Sequence, residues 1–291
     1  MSQLNGHAFT VAVRAYVELV RLHNVAATVL TTFIGYFVAA GAVAVTSSAA
    51  LAAAAAALVA AAGYVINDYY DVDTDSIVKP WRPIPSGRVK PPAARRLAYI
   101  LFLLGLVAAV PLGALVLAFV AVNAVLVHEY SRWIKRSGFP GNLVVALNSA
   151  ATILLGGLVY PGSQYPRLTL VPAAIAFLLV LAREIIKGIE DYRGDLEACY
   201  LTLPVVAGQR RAALAAALLL LAVVAVSVLP LQAGFGAGYM ALASIVDALA
   251  LYSAYKLLSS REGLEKVAAR LRSLLKAAFF LGGLAFIAGL A

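Results

Sequence analysis

The stretch Asn67-Asp68-Tyr-Tyr-Asp71-Val-Asp73-Thr-Asp75 directly follows about twenty residues that are almost all alanine, valine or leucine. Such a run is typical of a helix that crosses the hydrocarbon core of a bilayer, which is about 30 Å thick. Carboxylates are costly inside that core. The acidic stretch therefore has to lie where a membrane helix meets water. We also expect a group of opposite charge to meet it there.

The composition also indicates a membrane protein. Of the 291 residues, 63% are hydrophobic and 13% are charged, and the mean hydropathy is +0.91. Soluble domains carry roughly 25% charged residues. The single cysteine, Cys199, excludes a disulfide framework and a metal site built from several thiolates. The polar N-terminus lacks a signal-peptide pattern, so we expect the first apolar segment to be retained.

Nine apolar segments are long enough to span a bilayer. They cover residues 22–44, 48–70, 93–112, 114–131, 142–161, 168–190, 211–230, 237–257 and 272–290. The boundary between the third and fourth, near residues 111–113, is the least distinct because the apolar sequence there is nearly continuous. The gaps are too short for a soluble domain. The sequence therefore predicts an all-α, polytopic membrane protein with a single domain, residues 1–291.

The basic residues predict the orientation of the chain. With nine spans, the N-terminus and the loops after the even-numbered spans lie on one side. That side carries 22 of the 23 lysines and arginines, and Arg167 is the exception. By the positive-inside rule it is cytoplasmic. The net charge of +9 is thus mainly a topology signal, and we predict no nucleic-acid partner. Nothing in the sequence indicates an obligatory protein partner either.

The first acidic cluster has a spacing that suits a metal ion. Asn67, Asp71 and Asp75 are four residues apart, and Asp68 adjoins the first of them. If the second span stays helical to its end, these groups share one face. Like charges so close together repel one another, and a divalent cation would relieve that repulsion. Oxygen ligands without histidine or cysteine favour Mg²⁺ over Zn²⁺.

A second cluster ends the sixth span. Arg183, Lys187, Asp191 and Asp195 follow one another at four-residue steps, so two cations and two carboxylates line one face of a helix. Taken alone, this could be a salt-bridged helix end. Mg²⁺, however, typically combines one or two carboxylates with phosphate oxygens of a substrate. Two such clusters on one membrane face indicate a diphosphate site, with an apolar bundle behind it for a hydrocarbon tail. The cations near these acids are Lys79, Arg82, Lys187 and Arg193.

The two motifs resemble those of the UbiA superfamily of intramembrane prenyltransferases. The first motif, Asn67-Asp68-x-x-Asp71-x-x-x-Asp75, is followed by Lys79-Pro-x-Arg-Pro-Ile-Pro-Ser-Gly87, and the second is Asp191-x-x-x-Asp195. The resemblance covers essentially the whole chain. It implies nine helices around a central cavity that opens towards the cytoplasmic side. Arg21-Leu-His-Asn24 and Thr202-Leu-Pro204 are similar to the archaeal ether-lipid branch of the superfamily.

The resemblance also implies an activity. It is the Mg²⁺-dependent transfer of a prenyl group, here geranylgeranyl, from an allylic diphosphate to a lipophilic acceptor, with release of diphosphate. In the ether-lipid branch the acceptor is a prenylated glycerol phosphate that attacks through its free hydroxyl. An aromatic-acceptor enzyme of the quinone, haem or chlorophyll type is the alternative within the superfamily. From a different class, a secondary transporter would bind its coupling ions near the bilayer midplane.

The resemblance further implies roles for individual residues, carried over by position. The residues expected to hold Mg²⁺ are Asn67, Asp68, Asp71, Asp75, Asp191 and Asp195. The catalytic candidates among them are Asp68, Asp71, Asp191 and Asp195. The substrate-binding candidates are Arg21, Asn24, Lys79, Arg82, Tyr130, Lys135, Lys187 and Arg193. An aromatic ring could stabilise positive charge on the allylic carbon, and Tyr64, Tyr130 and Tyr192 are candidates.

Two further features allow more than one interpretation. His128 and Glu129, at the end of the fourth span, could handle a proton or could be a hydrogen-bonded helix end. Asp247 lies within the eighth span, where an ionisable residue is by default a functional one. The sequence identifies no partner for it.

Overall fold

The computed structural model describes residues 13–161, 166–260 and 263–290, with the side chains of residues 166 and 167 excepted. Within these ranges the regular structure is helical and contains no strand, which confirms the all-α prediction. The long helices are α2 (Leu22–Ala40), α3 (Ser47–Tyr70), α5 (Pro91–Ala109), α6 (Ala114–Arg132), α7 (Phe139–Leu158), α8 (Pro166–Glu190), α11 (Gln209–Val226), α13 (Ala237–Ser259) and α14 (Leu264–Ala288). The short ones are α1 (residues 13–20), α4 (Val72–Val78), α9 (Tyr192–Glu197), α10 (Leu203–Ala207) and α12 (Leu229–Gln232).

The predicted number of membrane spans is confirmed. In the described part of the chain, nine helical segments have the length and apolar composition needed to cross a bilayer. A short 3₁₀ turn over Val110–Leu112, followed by Gly113 with φ of +97°, separates α5 from α6 where the sequence is nearly continuous. Only the last span departs clearly from its predicted start. Helix α14 begins at Leu264, because its charged first turns join the apolar part without a break.

The chain divides into two compact units. The described residues up to Leu30, together with Ala50–Arg132, form the first unit. Thr31–Ala49 and the described residues from Trp133 onwards form the second. In the second unit α8 is the central helix, since it packs against α7, α11 and α14. In the first unit, large apolar side chains of α5 and α6 such as Leu103 and Val122 are more than half exposed. Exposed apolar side chains of this kind are expected where a helix faces lipid. A single domain over residues 1–291 stays a prediction.

Glycine allows two helices of the second unit to approach closely. A Cβ atom on Gly35 of α2 would lie 1.9 Å from the carbonyl oxygen of Ile153 in α7. A Cβ atom on Gly156 of α7 would lie 1.9 Å from the carbonyl oxygen of Thr32 in α2. Small residues permit such backbone contact, which is a common way to join helices in lipid.

Candidate active site

The first acidic motif runs through a local break in the helix. Helix α3 ends at Tyr70 and α4 begins at Val72. Asp71, between them, belongs to neither helix and has a φ of −94° and a ψ of 4°. Amide hydrogen bonds still connect residues four apart, from Asp71 N to Asn67 O at 3.0 Å and from Asp75 N to Asp71 O at 2.7 Å. The second span thus stays helical to its end at Tyr70, and the break falls at the one residue that follows. Backbone hydrogen bonds nevertheless link Asn67, Asp71 and Asp75 at four-residue steps, as in a continuous helix.

The second motif repeats this backbone arrangement. Helix α8 ends at Glu190 and α9 begins at Tyr192. Asp191, between them, belongs to neither helix and has a φ of −86° and a ψ of 5°. Asp191 N donates to Lys187 O, and Asp195 N donates to Asp191 O, both at 2.9 Å. Each motif thus places one aspartate, Asp71 in the first and Asp191 in the second, at a one-residue break between a long membrane helix and a short one. The sequence showed the common spacing but not this common conformation.

Two arginines occupy carboxylates of the first motif. Asp68, 3% exposed, accepts hydrogen bonds at Oδ1 from Nη2 of Arg21 and, at 3.1 Å, from Nη1 of Arg82. The same Nη1 atom of Arg82 donates to Oδ2 of Asp75 at 2.5 Å. The guanidinium of Arg21 lies over the ring of Tyr64, 5.2 Å from its centroid. These contacts join five candidate residues of the first unit into one connected group.

The loop after α4 holds Arg82 in place. The backbone carbonyl of Arg82 accepts hydrogen bonds from the amide of Ser86 at 3.0 Å and from the hydroxyl of Ser86 at 2.7 Å. The amide of Val89 returns to the carbonyl of Pro83 at 2.9 Å, and Gly87 adopts a φ of +75° that favours glycine. The Arg-Pro-Ile-Pro-Ser-Gly sequence therefore encodes a compact turn. That turn fixes the backbone from which the Arg82 side chain reaches the two aspartates.

The other predicted residues of the first unit are partly accessible from solvent. Asn24, Asn67, Asp71, Lys79 and Tyr130 are all half-buried. The backbone carbonyl of Asn24 accepts a hydrogen bond from the Thr28 hydroxyl at 3.2 Å. Their assignment to substrate or metal stays a prediction.

In the second unit, arginines near the second motif pair with glutamates. Arg183 contacts Glu184 at 2.8 Å, Arg272 contacts Glu190 at 2.9 Å, and Arg193, 83% exposed, contacts Glu265 at 3.4 Å. Part of this cluster is therefore a salt-bridged helix end. Among the residues that the structure describes, neither aspartate of the second motif has such a partner within 4.0 Å. The other predicted members of the second unit are Lys135, half-buried, and Lys187 and Asp191, both exposed.

Asp195 is the half-buried carboxylate of the second motif. Burial raises the pKa of its carboxyl above the ordinary value, and the negative charge of Asp191 raises it further. The hydroxyl of Thr202 and the positive charge of Lys187 act in the opposite direction. Charge on Asp195 is therefore incompletely compensated by the protein. A cation at this position would stabilise it.

Comparison with known proteins identifies the family. The model of the UbiA prenyltransferase family matches residues 28–288. The chain belongs to this family. A curated digeranylgeranylglyceryl phosphate synthase from Hyperthermus butylicus is 48% identical over 292 residues, which cover 95% of this chain and 97% of that relative. With nine apolar helices in its described residues, the chain is an integral, multi-pass membrane protein.

Two solved structures are also similar. One, from work on digeranylgeranylglyceryl phosphate synthase in membranes, has a TM-score of 0.82 and 29% identity, and the match covers 96% of this chain and 98% of that one. Another, of a UbiA homologue from Archaeoglobus fulgidus bound to GPP and Mg²⁺, has a TM-score of 0.62 at 18% identity. It covers 91% of this chain and 99% of its own. At that identity the likeness concerns the fold.

The predicted metal ligands are not arranged as a complete metal-binding site in the described part of the chain. Within the described residues, no three histidine, cysteine, aspartate or glutamate side chains lie together in a group that could hold a metal ion. Two carboxylates of the first motif are engaged by arginines instead. The donor set is nonetheless made of carboxylates and an amide, which suits a hard cation. It also suits an ion such as Mg²⁺ that takes only one or two carboxylates and completes its shell with phosphate oxygens and water.

His128 of this UbiA family member is a hydrogen-bonded helix end. Its Nδ1 atom lies 2.9 Å from Oε1 of Glu129, and its Nε2 atom lies 3.4 Å from the hydroxyls of both Tyr70 and Tyr99. Three helices of the first unit, α3, α5 and α6, therefore meet at this ring. Tyr70 and Tyr99 are 58 and 29 residues away from His128 in the chain, so the sequence contains no local signal for these contacts.

Asp247 has a neutral partner. Its Oδ2 atom accepts a hydrogen bond from the hydroxyl of Ser227 at 2.8 Å, and the carbonyl of Ser227 accepts one from the hydroxyl of Tyr239 at 2.8 Å. These contacts join α13 to the end of α11. The carboxyl group therefore links two membrane helices of the second unit.

Proposed function

We propose that this protein is a digeranylgeranylglyceryl phosphate synthase. It transfers a geranylgeranyl group from geranylgeranyl diphosphate to the free hydroxyl of geranylgeranylglyceryl phosphate, an Mg²⁺-dependent step of archaeal ether-lipid synthesis. The observation that carries this assignment is the 48% identity to such a synthase over 95% of the chain. The two aspartate motifs with their shared backbone conformation supply the chemistry that the reaction needs.

The aspartate motifs are the proposed metal ligands. Asn67, Asp71 and Asp75 in the first motif, with Asp191 and Asp195 in the second, offer oxygen atoms to Mg²⁺. When bound, Mg²⁺ stabilises the negative charge that grows on the departing diphosphate. The raised pKa of Asp195, for which burial is the main cause, and the oxygen-only donor set support this role.

The cationic side chains are proposed to bind the phosphates of both substrates. Lys79, Arg82, Lys187 and Arg193 donate hydrogen bonds to the diphosphate of the donor, and Arg21 and Lys135 bind the phosphate of the acceptor. In the reaction the bond between the allylic carbon and the diphosphate oxygen breaks. The acceptor oxygen forms an ether bond to that carbon and releases its proton. Fixed cations assist because charge moves onto the diphosphate as the bond breaks.

The proposal also includes a location. The protein acts in the cell membrane, and the site opens towards the cytoplasm, where the lysines and arginines concentrate. Residues 1–291 act as a single catalytic domain.

An acceptor screen tests the proposal. Purified protein in lipid nanodiscs is incubated with radiolabelled geranylgeranyl diphosphate, Mg²⁺ and one acceptor at a time: geranylgeranylglyceryl phosphate, hydroxybenzoate or a naphthoate. We expect label in the glycerol phosphate product alone, and none after chelation of the metal. Label in an aromatic acceptor alone would assign the protein to the aromatic branch. Absence of transfer to every acceptor would leave the transporter alternative.

A further inference from the structure

Asp68 differs from Asp75 because one of its oxygens accepts hydrogen bonds from two arginines, Arg21 and Arg82, whereas Asp75 accepts one from Arg82. We propose that it is a positioning residue that holds the guanidinium groups of Arg21 and Arg82 as a fixed pair for phosphate binding, and that it is not an Mg²⁺ ligand. This inference rests on the proposed function, because the phosphates are those of the two substrates. It changes the role that the sequence motif alone suggests for this aspartate.

The contacts of Asp68 disfavour a metal ion. A single oxygen, Oδ1, accepts hydrogen bonds from both arginines. The side chain of Asp68 is 5% exposed, so water screens these charges little. A divalent cation at this oxygen would lie against two guanidinium groups, whose positive charges repel it, whereas Asp75 contacts one of these groups. Mg²⁺ also requires nearly ideal octahedral geometry at about 2.0–2.1 Å, which an oxygen engaged by two donors suits poorly.

The same contacts leave the arginines able to bind phosphate. The side chains of Arg21 and Arg82 are 24% and 21% exposed, so both remain accessible from solvent. Among the described residues, Arg82 uses one nitrogen, Nη1, for both Asp68 and Asp75. Its Nη2 and Nε donors are therefore available for a second acceptor. Guanidinium groups with adjacent free donors bind phosphate oxygens in a bidentate manner.

The backbone and its neighbours hold Arg21 in this arrangement. Arg21 lies between α1 and α2 with a φ of +55°, a left-handed conformation that is unusual for a residue with a side chain. Its guanidinium rests on the ring of Tyr64, one helical turn before Asp68 on the same face of α3. Ring and carboxylate thus hold the group from two directions. Backbone strain of this kind persists where the surrounding contacts fix it.

The arrangement has a consequence for the two substrates. Because one oxygen atom binds both guanidinium groups, the two cations are neighbours. If Arg82 binds the donor diphosphate and Arg21 binds the acceptor phosphate, Asp68 controls both affinities through these arginines. Loss of its charge should weaken the binding of both substrates and leave metal binding intact.

The test compares Asp68→Asn with Asp71→Asn, and uses Asp73→Asn as the control because Asp73 is exposed. Direct binding of Mn²⁺ to the purified protein is measured by electron paramagnetic resonance, without substrate and with the unreactive thiolo analogue of geranylgeranyl diphosphate. The KM values of both substrates are measured at saturating Mg²⁺. For Asp68→Asn we expect unchanged Mn²⁺ affinity and an increase of roughly tenfold in both KM values, since each charge-assisted contact is weakened. Asp71→Asn should lose Mn²⁺ affinity.

An Asp68→Asn variant that binds Mn²⁺ as weakly as Asp71→Asn would overturn the proposal. The variant Arg21→Gln extends the test if Asp68→Asn does not fold. We expect Arg21→Gln to raise the KM of the acceptor and to leave Mn²⁺ affinity unchanged, and an unchanged KM would contradict us. Failure of the wild-type protein to modify the glycerol phosphate would instead refute the proposed function. The Mn²⁺ comparison does not depend on that outcome.

Discussion

Asp71 and Asp191 hold equivalent positions, each at a one-residue break after a long membrane helix. We expect Asp71→Asn and Asp191→Asn each to lower kcat/KM by about a hundredfold or more, because each removes a charged oxygen that stabilises the leaving diphosphate through the metal. Steady-state assays with the glycerol phosphate acceptor provide the measurement. Asp73→Asn, an exposed neighbour outside the four-residue spacing, should keep nearly full activity. Full activity in both motif variants would refute the metal-site assignment.

At the residue level, the sequence was informative about residue types and spacing but not about partners. Local spacing identified both motifs, and the family resemblance named Arg21 and Arg82 as members of the site. It also assigned Asp68 the same role as Asp71, since adjacent acids look alike in a motif. One of the two arginine partners of Asp68 lies 47 residues earlier in the chain. A contact of that separation depends on how helices pack, and one sequence contains no local signal for it.

At the level of helices, hydrophobicity located the spans well because a bilayer fixes the length of an apolar helix. The break between α5 and α6 was predictable from Pro111 and Gly113, which stop a helix. The breaks at Asp71 and Asp191 were not predictable, because neither proline nor glycine marks them. The hydrophobicity pattern also does not indicate how closely two helices approach each other. The close approach of α2 and α7 depends on Gly35 and Gly156, which resemble any other glycine of an apolar run.

This close approach leads to a prediction about packing. Gly35→Ala and Gly156→Ala each place a methyl group against a backbone carbonyl, so the helices have to move apart. We expect a loss of about 1–3 kcal/mol in stability, the usual range for overpacking. Gly282→Ala in α14 is the matched control, because a Cβ atom there meets nothing within 4 Å. It should be neutral or slightly stabilising. Thermal unfolding in detergent measures all three, and equal losses in all three would contradict the role of close approach.

For the whole molecule, the charge distribution is the strongest global feature. Of 23 lysines and arginines, 22 lie on the side that carries the N-terminus and the loops after even-numbered spans. The two aspartate motifs follow spans two and six, so the predicted topology assigns both to that side. Proposed access for charged substrates from the cytoplasm depends on this orientation.

The chain contains one native label for that orientation. Cys199, its single cysteine, is exposed and lies after the sixth span, on the predicted cytoplasmic side. In intact cells a membrane-impermeant maleimide should leave Cys199 unlabelled, and it should label this residue after the membrane is permeabilised. Val43, 56% exposed after the first span, serves as the control on the opposite side. The double variant Cys199→Ser, Val43→Cys should be labelled in intact cells. Labelling of native Cys199 in intact cells, with Val43→Cys protected, would reverse the topology and place the aspartate motifs outside the cytoplasm.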